Sequence, residues 1–74
     1  MSAQREPKLL DLVAVTSIVA DSEISVGDVG TVVELLPLDG LEVEFLDRDG
    51  RTRGVKTLNV KDVLVLNRER TKVA

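Results

Sequence analysis

From Leu41 to Phe45, apolar and acidic residues alternate without a break as Leu41-Glu42-Val43-Glu44-Phe45. This is the period-two pattern of a strand with one face buried and the other in water. Upstream, Thr31-Val32-Val33-Glu34-Leu35 is rich in β-branched residues, which favour extended backbone. Pro37-Leu38-Asp39-Gly40 lies between the two and offers proline and Asp-Gly turn chemistry. Gly27-Asp28-Val29-Gly30 leads into the first of these strands, with glycines where the chain can take φ > 0 at no steric cost. The stretch 26–44 therefore predicts the central hairpin of a small, curled antiparallel sheet.

The flanks extend that pattern. Leu9 to Thr16 shows no clean single apolar face, which predicts a first strand covered on both sides for part of its length. Ser17 to Ser25 carries Asp21-Ser22-Glu23 at its middle. It reads as a long excursion with Ile18, Val19 and Ile24 folded back over the core, since β-branched residues and missing cap signals argue against a helix. Asp47-Arg48-Asp49-Gly50 predicts a second hairpin whose short loop ends in a glycine bulge. Arg53 to Leu58 follows as a more polar strand near an edge. Asn59 to Asp62 predicts a tight turn of 3₁₀ type, and Val63 to Leu66 a short last strand.

Five short strands with one long early loop describe an all-β domain, a small five-stranded SH3-like barrel over residues 9–66. A flexible N-terminal segment 1–8 and a charged C-terminal tail 67–74 flank it. An OB-type barrel is the main rival, but it needs a helix between its third and fourth strands, and Asp47 to Thr52 leaves no room for one. The expected core is Leu12, Val29, Val32, Val43, Phe45 and Val55, with Val63 or Val65.

Composition narrows the picture further. Seventy-four residues make one domain, and a domain of that size buries only about 60% of its unfolded surface. With no cysteine and no histidine, neither a disulfide framework nor a Cys/His zinc site can staple it. No stretch reaches the ~20 apolar residues of a membrane span. Met1 to Lys8 is polar and mixed in charge, unlike a signal peptide, and a cytoplasmic location is expected. The net charge of −3 conceals a division. Asp11 to Asp49 holds ten acidic residues against Arg48 alone, whereas Gly50 to Ala74 holds seven bases against Asp62 and Glu69. The simplest expectation is that the two halves attract one another in the folded chain.

Leu12-Val13-Ala14-Val15, Gly27-Asp28-Val29-Gly30-Thr31-Val32-Val33 and Glu42-Val43-Glu44-Phe45 with Asp49-Gly50 together resemble a family of small bacterial and archaeal proteins of unknown function with an SH3-like fold. The resemblance covers about Leu10 to Leu66. The Gly-Asp-x-Gly-Thr-Val core is also similar to the KOW motif of ribosomal and transcription-elongation proteins, in which a glycine-bearing turn leads into a barrel strand. What the resemblance implies is a compact module without catalytic residues that works beside another protein, in some cases as half of a toxin–antitoxin pair.

The residues that could carry chemistry favour their structural readings. Asp47-Arg48-Asp49-Gly50 is similar to a calcium loop, but with Gly50 at the sixth position the first falls on Phe45 and the twelfth on Lys56, and neither ligates calcium. Glu42 and Glu44 share a strand face without the cleft that a glycosidase pair requires. No histidine base serves the serines and threonines. The chain is therefore read as no enzyme, with no cofactor and no metal. Nucleic-acid barrels combine a basic groove with aromatic platforms, whereas this chain has a pI of about 4.8 and a lone aromatic, Phe45. Arg51, Arg53, Lys56 and Lys61 make at most a small candidate patch, to which the tail adds Arg68, Arg70 and Lys72. Proline-peptide recognition needs an aromatic-lined groove, and there is no Trp or Tyr to build it.

Protein–protein association remains: a non-catalytic accessory module, antitoxin-like towards a neighbouring protein or self-associating, with no membrane partner. The alternative is an RNA- or ribosome-associated KOW-type module. Candidate interface residues are Leu36, Leu38, Glu42 and Glu44, apolar residues at a hairpin tip rimmed by acids. The competing possibility, that the leucines cap one open end of a barrel, stays open at this point.

Overall fold

The computed structural model describes residues 6–47 and 49–66 of the chain. The termini 1–5 and 67–74, and with them the expected charged tail, lie outside the described residues, as does Arg48. Five strands follow in order: β1 (Leu12–Val15), β2 (Val29–Leu36), β3 (Gly40–Leu46), β4 (Thr52–Asn59) and β5 (Val63–Val65). A single 3₁₀ turn, η1 (Val60–Asp62), precedes β5. All neighbours are antiparallel, in the order β4-β3-β2-β1-β5. The domain is all-β as expected, but β4 and β5 are the two edges of an open sheet. The sheet is not closed, so the expected five-stranded barrel is barrel-like only approximately. Among the described residues, no helix is long and apolar enough to cross a membrane.

The central hairpin turns one residue earlier than its Asp-Gly pair suggests. Leu38 and Asp39 both take positive φ, 62° and 64°, and the Gly40 N–H donates to the Pro37 carbonyl at 3.2 Å. A two-residue turn with both central residues at φ > 0 has the twist that matches its strands. Gly40 becomes the first residue of β3 instead of a turn residue. The second hairpin is built as expected, with Gly50 at φ 84° and Asp47 Oδ1 accepting from the N–H groups of Asp49 and Arg51.

Cross-strand register sorts every side chain onto one of two faces. Val65, Val13, Gly30, Phe45 and Gly54 form one row across all five strands, and Val32, Val43 and Lys56 another. These rows face inward. Gly30 carries the absence that makes the first row possible: a Cβ there would lie 2.6 Å from Val43 Cγ1 and 2.8 Å from the Glu44 carbonyl oxygen. Phe45 and Val43 fill the space it leaves.

The core comprises Val13, Val15, Ile24, Val32, Leu41, Val43, Phe45, Leu58 and Val63. Val32, Val43, Phe45 and Val63 are as expected, and Val65 packs partly buried against them. Leu12, Val29 and Val55 are not core; they are 37, 47 and 50% exposed. Each correction has a register cause. Val13 and Val15 take the inward places of β1, so Leu12 points out. Gly30 takes an inward place on β2, which turns Val29 outward. Val55 pairs with the outward Glu44. Ile24 from the 16–28 loop is buried and Val19 partly so, but Ile18 is 92% exposed, which corrects the expectation that all three fold onto the core.

Candidate functional site

The inner face is closed by the loop between β1 and β2. Its ends are tied to the sheet, where Val15 N–H donates to the Asp28 carbonyl at 2.9 Å and Gly27 N–H to the Val15 carbonyl at 2.8 Å. Its acidic side chains then reach the basic residues of β4. Lys56 Nζ lies 2.7 Å from Glu23 Oε1 and 3.2 Å from Asp21 Oδ2, and Arg53 Nη2 lies 3.2 Å from Asp28 Oδ2. The Asp21 carboxyl is held below its ordinary range, first by the Glu23 backbone N–H and then by the Lys56 ammonium. Glu23, followed by Asp21, raises the Lys56 ammonium above its usual value. Arg53 also sits over the Phe45 ring, 5.6 Å from its centroid.

The candidate basic patch is dispersed by these contacts. Arg53 and Lys56 are committed to the loop. Arg51 lies in the second hairpin loop, and Lys61 lies on η1, so the four residues span about 25 Å of strand and turn.

The opposite, outer face carries the remaining acids. Register places Leu12, Thr31, Glu44 and Val55 in one row, and Glu34, Glu42 and Thr57 in the next. Leu64, Ala14 and Val29 form a third. Alternation from Phe45 adds Leu46, half exposed, to the β3 column of Glu42 and Glu44. The face thus interleaves carboxylates with exposed aliphatic side chains. Glu44 Oε2 accepts from the Thr52 hydroxyl at 2.7 Å, and Glu42 Oε2 from the Thr57 hydroxyl at 3.2 Å. Among the described residues, no base forms an ion pair with Glu34, Glu42 or Glu44. Glu34 is the register partner of Glu42, beside the irregularity between Val32 and Glu34, and like charges in direct cross-strand pairs repel.

The two candidate leucines are separated by the hairpin turn. Leu36 is half-buried and lines a narrow cleft of about 150 Å³ with Pro7, Leu41 and Val60. Leu38 projects from the tip, 93% exposed. A bulky residue at positive φ is unusual, and this one is braced. The Asn59 side-chain amide donates to the Leu38 carbonyl at 3.4 Å, and the Val60 N–H to the Asp39 carbonyl at 2.9 Å. Leu38 and Ile18 are the two most exposed large apolar residues described. Ile18, together with Gly40, Leu58 and Asn59, lines an open depression of about 430 Å³ beside the tip. The interface expected from sequence therefore resolves into Glu42 and Glu44 on the outer face, Leu38 at the tip, and Leu36 in a cleft. Leu12, Val29, Val55 and Leu64 are the outer-face residues that sequence reasoning missed. The one hint was Gly30, whose inward place fixes the parity of its neighbours.

Residues 9–65 match the family described as "Domain of unknown function (DUF4926)". The match covers most of the chain, which belongs to that family. No curated protein and no solved structure matches it.

Proposed function

We propose that this domain is a non-catalytic protein-binding module that docks another protein on the outer face of its sheet. The observation that carries the reading is the composition of that face. Leu12, Val29, Val55 and Leu64 remain exposed on the strands, among carboxylates that no described base neutralises. Exposed apolar surface set among polar residues is the anatomy of a protein interface. Leu38, presented by a braced turn, extends the surface at one end. In this reading the open sheet is an SH3-like half-barrel, Gly27 to Val32 is its KOW-like turn and strand, and the module acts as an accessory, antitoxin-like partner of a neighbouring protein. The RNA-binding alternative has less support, since Arg53 and Lys56 already spend their charge on the loop.

Affinity purification from the native cell tests the reading. The wild-type chain should recover a partner that Val29→Glu and Val55→Glu lose, with melting temperatures close to wild type because both sites are half exposed. If the same partners are recovered by the face variants, or if RNA co-elutes and is released steeply by salt, the reading fails.

A further inference from the structure

We infer that the segment docked on this face is cationic and extended, with basic side chains at every second residue followed by an aliphatic one. The inference rests on the protein-docking reading above and names the chemistry of the partner. Its first support is the column Glu42, Glu44 and Leu46, three side chains of one strand that point to the same side. Same-side positions on a strand repeat at about 7 Å. An extended segment of pattern Lys-x-Lys-x-aliphatic has the same repeat, so its two ammonium groups meet Glu42 and Glu44 while its aliphatic side chain meets Leu46. Val55 and Val29, on the neighbouring strands, provide further apolar contact.

The second support is a pair of like-charged neighbours to which no described base is joined. Glu34 and Glu42 are direct cross-strand neighbours, and like charges in that relation repel. The fold contains bases and uses them elsewhere: Arg53 and Lys56 sit on the same β4 strand that supplies only hydroxyl groups to Glu42 and Glu44. A local arrangement that works against the isolated domain fits a surface completed by a partner. A cationic segment relieves the repulsion on binding, and its charge steers encounter.

The test is an amide NMR titration of the full chain with the peptide Lys-Ser-Lys-Ser-Leu-Ser-Val. Two control peptides accompany it, one with Gln for Lys and one with Ser for the aliphatic residues. The expected result is a set of shifts confined to Thr31, Glu42, Glu44, Leu46, Val55 and Thr57. Binding should weaken roughly tenfold in Glu42→Gln/Glu44→Gln and fall with added salt. Glu34→Gln, which relieves the repulsion, serves as a second variant and should also weaken binding while leaving the fold intact. Equal binding by the Gln peptide on this face overturns the cationic partner and leaves protein docking standing. Equal binding by the control that keeps both lysines but has Ser for the aliphatic residues, with shifts spread to Asp39, Asp47 and Asp49, reduces the effect to diffuse charge and overturns the proposal. Absence of shifts on the outer face overturns it as well.

Discussion

Asp21, Glu23 and Asp28 on the loop carry the same charge as Glu34, Glu42 and Glu44 on the sheet, yet among the described residues only the loop acids are answered by bases. The loop lies over the inner face, where Lys56 emerges from the inward row of β4 and Arg53 from its bulge. There the opposite charges hold a cover on the core. On the outer face the same strand presents Thr52 and Thr57, whose hydroxyls satisfy one carboxylate oxygen each and leave the charge in place. A chain divided into acidic and basic parts need not neutralise itself evenly. Among the described residues, the ion pairs between loop and β4 lie on one face, and Glu34, Glu42 and Glu44 lie on the other.

The sharpest separation of the two faces is by stability. Phe45 is 1% exposed in the long inward row, and Phe45→Ala should cost about 3–5 kcal/mol, enough to unfold a domain this small. Val55→Ala on the outer face should change the denaturation midpoint little. A well-folded spectrum for Phe45→Ala would reverse the assignment of faces.

Next in size is Gly30→Val. The first added carbon meets Val43 Cγ1 and the Glu44 carbonyl well inside contact distance, and overpacking of that kind costs about 1–3 kcal/mol. The damage is to inward packing, because Gly30 is not at positive φ. Thermal melts should show a marked drop for Gly30→Val and a smaller one for Gly30→Ala. An unchanged melt for both would mean that Phe45 does not lie beneath this position.

How far the sequence reveals this arrangement depends on how much each strand says about its own faces. β3 says everything, since its acids and aliphatics alternate, and the two hairpins and η1 follow from turn residues. β1 says nothing, because Leu12-Val13-Ala14-Val15 is apolar at every position and either parity is possible. Its inward face is fixed only by pairing with Gly30 and Val65. β2 misleads, because Val29 is apolar and Gly30 is not an obvious core residue, although the glycine takes the inward place. A bulge between Val32 and Glu34 then shifts the parity, which no local signal announces. The pairing of Lys56 with Asp21 and Glu23 joins residues more than thirty positions apart and depends on where the loop crosses the sheet. Charge division was legible, but its destination was not.

A smaller effect distinguishes the two acid groups by sign. Glu34→Gln removes one member of the cross-strand pair and should stabilise the domain by about 0.2–1 kcal/mol at low salt. The gain should shrink as salt is added. Replacing Glu23 by Gln should do the opposite, because its charge is answered by Lys56. A destabilising Glu34→Gln would mean that its carboxylate has a partner after all, and the outer face would lose its excess charge.

The smallest effect is the pH dependence of the loop contacts, and its sign is fixed by the direction of each shift. Asp21 has a folded pKa below its ordinary value of 3.8. Its contribution to stability is therefore fully present above that value and is lost as pH falls through the lower, folded one. Lys56 has a folded pKa above its ordinary value of 10.5. Its contribution is present below that value and is lost as pH rises through the higher one. Between about pH 5 and 9 both remain, so the difference in melting temperature between wild type and Lys56→Met should be small and flat. Towards the acid end it should shrink, because Asp21 then loses the charge that Lys56 answers. Melting curves of the two proteins from acid to alkaline pH provide the measurement. A difference that stayed constant into strong acid would show that the loop acids do not engage β4 in solution, and with that the contrast between the faces would collapse.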